Sequence, residues 1–244
     1  MSGHSHAKTV AHVKELAAAK RGAAFSKFGR LITIAAKEGG GDPAVNSKLK
    51  TAIEQAKAVN MPKENIERAI KKGTGELAGE ALEVVSYEAF GPGGIALIID
   101  GITDNSNRTL GEIRSILNQN NGKMAGEGAV RWMFERRGAI TINPKAQSTI
   151  PGKDDLEMTA IDAGADDVKW YSDEEFEVRT RPEDLEKVKK TLEEKGLKIE
   201  SASLDYVPKE EVELSEKDKQ QAEKLFEALD ENDAVNNIYS NQKS

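Results

Sequence analysis

The stretch NMPKENIERAIKKG, residues 60–73, shows most directly how the first third of this chain folds. Ile66 and Ile70 stand four positions apart, which places both side chains on one face of a helix. Pro62 suits the first turn of a helix, and Gly73 is a typical terminator. The stretch therefore predicts one short helix with lysines at its carboxyl end.

The same periodicity extends toward the amino terminus and predicts a small all-helical domain. Apolar residues recur at helical spacing from Val10 onward. Gly22 and the run from Gly39 to Pro43 interrupt this pattern where helix ends are expected. We predict four helices in a domain that spans residues 1–75.

Charge divides the chain at the same place. Residues 1–75 hold 14 Lys and Arg against 6 Asp and Glu, a balance of +8, whereas residues 76–244 hold 21 against 36, a balance of −15. A local excess of positive charge on an otherwise acidic protein lets one surface bind polyanions while the rest does not. The first domain is therefore the place to look for a nucleic-acid site.

The cations of this domain are interleaved with its apolar positions, and they match a phosphate backbone. Such contacts release condensed counterions, so binding weakens as the salt concentration rises. The alternative is that these side chains only solubilise exposed helix faces. The residues that we predict to bind nucleic acid are Lys8, Lys14, Lys20, Arg21, Lys27, Arg30, Lys63, Arg68, Lys71 and Lys72.

The composition excludes several other kinds of protein and site. The chain has no cysteine, which removes disulfides, thiolate metal sites and cysteine nucleophiles, and it suits a reducing compartment. The longest clearly apolar stretch, Ile95 to Ile99, is far shorter than the roughly 20 residues of a membrane span. No secretory signal is evident at the amino terminus. We expect a cytoplasmic protein that does not enter a membrane.

All three histidines, His4, His6 and His12, lie near the amino terminus. A His-x-His pair could hold a metal, but no cysteine is present and no carboxylate precedes Glu15. We expect these residues to belong to a polar arm that helps to hold nucleic acid, and we expect no metal or cofactor.

A set of short motifs is spread along most of the chain and is densest from Lys20 to Gly138. These segments are Lys20-Arg21-Gly22, residues 39–43, residues 60–73, Tyr87-Glu88, residues 91–94, Thr103-Asp104-Asn105, Asn107-Arg108-Thr109, Gly128, and residues 134–138. Together they closely resemble the motifs of the YebC/PmpR family. One departure lies at the amino terminus, where His6-Ala7 replaces a Lys-Trp pair typical of the family.

The resemblance implies a non-enzymatic regulator of gene expression. It also implies three domains, a helical one followed by two mixed α/β domains. Bacterial members of this family are generally described as DNA-binding transcriptional regulators, whereas mitochondrial relatives activate translation and some bacterial members resemble ribosome-associated factors.

After Gly75 the pattern changes to strands and helices in alternation. We predict strands at 83–87, 95–99 and 129–134, and a helix over 108–118 capped by Asn107. A capping box at Ser215 opens a helix to about Leu229, and residues 234–240 form a last strand.

Between these segments lies a set of elements in the order βαββαβ, which is the ferredoxin-like arrangement. Its predicted strands are 139–142, 167–171, 175–180 and 198–206, and its helices are 154–163 and 182–195. The predicted fold class is α+β multidomain, in which a ferredoxin-like domain, 138–206, is inserted into an α/β domain formed by 76–137 and 207–244.

Two polar motifs in the second part of the chain are candidate binding sites. The run Gly91-Pro92-Gly93-Gly94 lacks the spacing of a phosphate-binding loop and precedes a strand, so we predict a tight turn. Arg108 belongs to a cluster with Asp104 and Asn105 that is richer than helix capping requires. Arg108 either contacts a phosphate or ties two domains together.

The sequence does not support an enzyme with a small-molecule substrate. It has no G-x-S-x-G, H-E-x-x-H or P-loop motif, and histidine is absent after position 12. The favoured function is a DNA-binding transcriptional regulator. One alternative is a translation factor that binds the ribosome or its RNA through the same basic domain, and another is an adaptor whose acidic surface binds a basic protein. The oligomeric state stays open.

Overall fold

The structure is a computed structural model that describes residues 18–79, 81–147 and 152–243. Within these ranges the chain forms two compact units. One unit consists of residues 18–131 with 212–240, and the other consists of residues 132–211 with 241–243. None of the described helices is long and apolar enough to cross a membrane.

The described helices and strands alternate in type after the first three helices. In chain order the helices are α1 (Ala18–Gly39), α2 (Ser47–Ala58), α3 (Lys63–Thr74), α4 (Ser106–Gln119), α5 (Lys153–Ala163), α6 (Leu185–Glu194) and α7 (Glu216–Asp230). The strands are β1 (Glu83–Phe90), β2 (Ala96–Thr103), β3 (Lys123–Met124), β4 (Phe134–Ile142), β5 (Asp167–Ser172), β6 (Glu175–Thr180), β7 (Ser201–Pro208) and β8 (Val235–Ser240).

Helices α1, α2 and α3 form an N-terminal helical region around their own hydrophobic core. Small residues let α1 and α3 approach closely: a Cβ atom built on Gly73 would lie 2.4 Å from the backbone oxygen of Thr33 and 2.7 Å from Ala36 Cβ. The Thr33 hydroxyl donates to the backbone oxygen of Ala69 at 3.1 Å. The first of the four predicted helices, around Val10, lies outside the described residues. The helix end predicted at Gly22 is wrong, because α1 continues through this glycine, which helices tolerate at a small cost.

The first unit also contains a sheet with strand order β3-β1-β2-β8, in which neighbouring strands are antiparallel. Buried Leu97 and Ile99 of β2 pack in one core with residues of α4 and α7. The last strand of the chain, β8, therefore joins the sheet that contains β1 and β2, and the last helix, α7, contributes to the same core.

The second unit contains a four-stranded antiparallel sheet with strand order β5-β6-β4-β7. Ile140 and Phe176 of this sheet share a hydrophobic core with Leu156 of α5 and Val188 of α6. The observed elements follow one another in the predicted order of strand, helix, two strands, helix and strand.

Two local predictions in the strand-and-helix part of the chain were wrong, and one short strand was not predicted. Residues 131–133 form a 3-10 turn instead of a strand, because the backbone N–H groups of Val130 and Arg131 donate to the carboxylate of Glu88. The cap of α4 is Asn105, whose side chain accepts from the backbone of Arg108, and not Asn107. The two-residue strand β3 is too short to leave a pattern in the sequence.

Candidate nucleic-acid interface

The predicted cations fall into different environments, and the first four are only partly covered by the structure. Lys8 and Lys14 lie outside the described residues. Lys20 and Arg21 lie in the first turn of α1. The remaining six lie on α1 and α3, where their side chains are described.

Lys27 of α1 is buried, which corrects the prediction that it lies on an exposed cationic surface. Only 10% of its side chain is exposed. Its Nζ atom donates to the backbone oxygen of Asp230 and lies 3.1 Å from Asp230 Oδ1. Asp230 is the last residue of α7, where carbonyl groups and the helix dipole favour a cation. The Lys27 ammonium is therefore satisfied within the chain and is not presented to a phosphate.

Arg30, one turn further along α1, is engaged in a similar way. Its Nη1 atom donates to the backbone oxygen of Asp233 at 2.5 Å. Arg30 also lies near the carboxylate of Asp104. The pKa of Asp104 is lowered, first by a hydrogen bond from its own backbone N–H group and then by the positive charges of Arg108 and Arg30. We call Lys27 and Arg30 the α1 cation pair. Both members contact the segment that ends α7.

The cations of α3 are arranged differently. Arg68, Lys71 and Lys72 are all exposed, and none of the three makes an ion pair within the described part of the chain. Positions three and four apart lie on one side of a helix, so these three side chains share a face. We call them the α3 cation group. Lys63, at the start of the helix, differs because it pairs with Glu67 at 3.4 Å.

Lysines in the last turn of a helix also interact favourably with its carbonyl groups, which is a purely structural role for Lys71 and Lys72. That role leaves their ammonium groups in water. The same two lysines can therefore stabilise α3 and still bind a phosphate. This is the geometric difference between the α3 cation group and the α1 cation pair.

Arg108 pairs locally. Its Nη2 atom lies 2.5 Å from Asp104 Oδ1, and its Nε atom lies 3.8 Å from Glu112 Oε1, with half of the side chain exposed. Both partners lie within four residues of Arg108. Arg108 therefore pairs with acidic side chains in α4 and just before it, and its contact with a phosphate or with another domain stays a prediction.

The sequence did not predict two acidic residues, Asp230 and Glu88, that have charged or backbone partners inside the protein. Asp230 lies 203 positions from Lys27, so no local pattern links them. Glu88 is buried in β1, and its carboxylate accepts from the backbone N–H groups of Gly128, Val130 and Arg131 at 2.7 to 3.0 Å. Burial raises the pKa of Glu88, but these bonds and the charge of Arg131 outweigh it, so the pKa is lowered.

Two other candidate sites from the sequence are the Gly91 to Gly94 run and a metal site. The Gly91 to Gly94 segment is a tight turn, as predicted: Gly94 N–H donates to the oxygen of Gly91 at 3.0 Å, and Gly93 and Gly94 both have positive φ. Among residues 18–79, 81–147 and 152–243, no group of three or more acidic or histidine side chains is placed to hold a metal. The predicted histidine arm lies outside these ranges.

The chain thus combines a basic three-helix region with two antiparallel sheets, each packed against helices, and known proteins share this architecture. Residues 5–76 match a family model described as the TACO1/YebC protein N-terminal domain. Residues 82–242 match the model described as the TACO1/YebC second and third domain. The chain belongs to the TACO1/YebC family.

Individual relatives are similar over nearly their whole length. A probable transcriptional regulatory protein of Thermoanaerobacter pseudethanolicus is 49% identical over 241 residues, covering 99% of this chain and 96% of the relative. A protein of the same description from Caldanaerobacter subterraneus is 48% identical, with 99% and 98% covered. The crystal structure of a conserved hypothetical protein from Aquifex aeolicus superimposes with a TM-score of 0.84 at 42% identity, covering 93% of this chain and 91% of that one.

Proposed function

We propose that this protein is a non-enzymatic, DNA-binding regulator of transcription that acts in the cytoplasm. The observation that carries the proposal is the α3 cation group, three basic side chains on one helix face without an internal acidic partner in the described residues. The names of the relatives, probable transcriptional regulatory proteins, support the regulatory role.

The position of these cations explains how an acidic protein binds a polyanion. Arg68, Lys71 and Lys72 lie on a domain whose balance is +8, whereas the rest of the chain carries −15. The negative remainder repels a phosphate backbone and so favours approach through the helical domain. We propose that five further cations extend this contact, namely Lys8, Lys14, Lys20, Arg21 and Lys63. Buried Lys27 does not take part in it.

Ribosomal RNA is the second candidate ligand. Lysine ammonium groups bind phosphate as point charges and read no base sequence, so the α3 cation group fits the backbone of RNA as well as that of DNA. A protein that binds RNA through this face would regulate translation.

We also infer that residues 138–206 form a ferredoxin-like domain inserted in a discontinuous α/β domain. Support comes from the element order, from the strand order β5-β6-β4-β7 and from antiparallel pairing throughout the sheet. The chain leaves the first unit after Arg131 and returns to it at Val212, close to the predicted limits.

Crosslinking in living cells, followed by sequencing of the recovered DNA and RNA, tests the proposal. The test variant carries Arg68→Glu, Lys71→Glu and Lys72→Glu. The matched control carries Lys187→Glu, Lys189→Glu and Lys190→Glu on α6, which changes the net charge equally in the other unit. We expect the wild type and the control to recover promoter DNA and the test variant to recover none.

The outcome also separates the candidates. Recovery of ribosomal RNA instead of promoter DNA, again lost in the test variant, would replace transcription with translation as the regulated process. Full recovery by the test variant would show that the α3 cation group is not the binding site.

A further inference from the structure

The loop between α1 and α2, residues 40–46, presents an apolar side chain to solvent. Val45 is 82% exposed, more than any other exposed large hydrophobic residue in the described part of the chain. Single exposed apolar residues are common on protein surfaces and need no explanation by themselves. This one differs because of how firmly its loop is built.

Backbone and side-chain hydrogen bonds fix the loop on both sides of Val45. The backbone oxygen of Asp42 accepts from the N–H groups of Val45 and Asn46 at 3.3 and 3.0 Å, and its carboxylate accepts from Ala44 N–H at 2.9 Å. Pro43 restricts the backbone further, because its ring fixes φ. The tip of the loop therefore has one defined turn.

Asn46, directly after Val45, is buried and fully used. Its amide nitrogen donates to the backbone oxygens of Ala35 and Gly40, both at 2.8 Å, while its Oδ1 atom accepts from Leu49 N–H at 3.0 Å. A side chain held at three points anchors the loop to α1 and α2. Val45 is thus positioned in advance, so a contact made by it loses little conformational entropy on binding.

The loop lies beside the end of α3. A Cβ atom on Gly41 would lie 2.8 Å from Thr74 Cγ2 and 3.2 Å from Ile70 Cγ2, so the loop backbone packs directly on the last turn of that helix. That turn carries Lys71 and Lys72, and the start of α2 adds exposed Lys50. The loop that carries Val45 therefore packs on a helix end whose cations have no ion-pair partner among the described residues.

We propose that Val45 is an apolar wedge that packs against a base face of the nucleic acid while the α3 cation group holds the phosphates. An apolar tip beside cations matches a ligand with anionic edges and apolar faces, which a base stack provides. Proteins that insert such side chains partly unstack a base step. This inference rests on the proposed function, and it adds the contact that charge alone does not supply.

The experiment compares Val45→Ser with the wild type on a DNA duplex and on an RNA hairpin, each containing 2-aminopurine in place of several adenines. Emission of 2-aminopurine rises when the base unstacks. Val84→Ser is the matched control, since Val84 is 60% exposed and belongs to a different element, β1. Val45→Ile keeps an apolar tip and serves as the rescue variant.

We expect the wild type, Val84→Ser and Val45→Ile to raise emission on binding. Val45→Ser should bind about tenfold more weakly, the loss expected for one buried valine side chain, and should raise no emission. Its salt dependence should equal that of the wild type, because no phosphate contact is removed.

Two results would overturn the inference, and they have different consequences for the proposed function. Equal affinity and equal emission for Val45→Ser would refute the wedge and leave the proposed function intact. Absence of binding by the wild type to both probes at low salt would overturn the proposed function, and the wedge would fall with it.

Discussion

The α1 cation pair and the α3 cation group belong to one small helical domain, yet the fold uses their charges in opposite ways. Lys27 and Arg30 donate to Asp230 and Asp233 at the end of α7. Arg68, Lys71 and Lys72 have no ion-pair partner in the described chain. In sequence the two sets look alike. The difference teaches that a basic domain contains cations that hold the protein together as well as cations that are free to bind a ligand.

The largest expected effect comes from disrupting the packing of α1 against α3, the two helices that carry both sets of cations. Gly73→Ala adds a methyl group where only 2.4 Å separates the new atom from the backbone oxygen of Thr33. Such overpacking costs about 2 kcal/mol of unfolding free energy, because α1 and α3 must move apart. Urea denaturation measures the change. A variant as stable as the wild type would show that the close approach of the two helices is not needed.

Glu88 is a buried negative charge with partners inside the protein, and its replacement shows how much such a charge stabilises the fold. Glu88→Gln should lower the unfolding free energy at neutral pH by about 2 kcal/mol, since the amide leaves backbone donors without their charged acceptor. Because the folded-state pKa of Glu88 is lowered, its stabilisation is present above the unfolded-state value of about 4.3 and is lost as the pH falls through the folded-state value.

Denaturation curves between about pH 6 and about pH 3 check this sign. The stability of the wild type should fall more steeply with acid than that of Glu88→Gln. Parallel curves would mean that Glu88 does not contribute a pH-dependent contact.

The α1 cation pair itself predicts a smaller effect. Asp230→Ala leaves the buried Lys27 ammonium with only a backbone acceptor and should cost about 1 kcal/mol. Lys27→Met should cost less, because the half-exposed Asp230 regains water and the apolar stem is kept. Glu227→Ala, on the exposed side of α7, is the matched control in thermal melts. Equal stability of Asp230→Ala and this control would show that the Lys27 contact is energetically neutral.

The smallest expected effect is stabilising and serves as a test of the Gly73 argument. Gly111 lies inside α4, and a Cβ atom there would meet nothing within 4 Å. Gly111→Ala should therefore raise the unfolding free energy by about 0.7 kcal/mol through helix propensity alone. A loss of stability here would indicate that glycine is needed in these helices for a reason other than close packing.

Periodicity and turn residues predict most of this fold. The 3.6-residue spacing of Ile66 and Ile70 locates α3, and the capping box at Ser215 locates α7, where the Ser215 hydroxyl accepts from Asp218 N–H at 3.2 Å. The sequence wrongly predicts a strand at residues 129–134, because their apolar character hides a turn that Glu88 holds from 40 or more positions away.

The candidate site was harder to predict for the same physical reason. Charge sign is a property of each residue, but whether a charge is free depends on which distant segment packs against it. Lys27 and Lys71 carry identical side chains on neighbouring helices, and the docking of α7 on α1 occupies only the first of them. Local patterns contain no record of that contact.

The most direct test of this account measures how affinity for a DNA duplex depends on salt in two variants. In Arg68→Gln, Lys71→Gln, Lys72→Gln, the slope of log affinity against log salt should shrink by about 2.7, which corresponds to three lost phosphate contacts. In Lys27→Met the slope should equal that of the wild type. A wild-type slope in the triple variant, or an equal loss in Lys27→Met, would contradict the assignment of the binding face to α3.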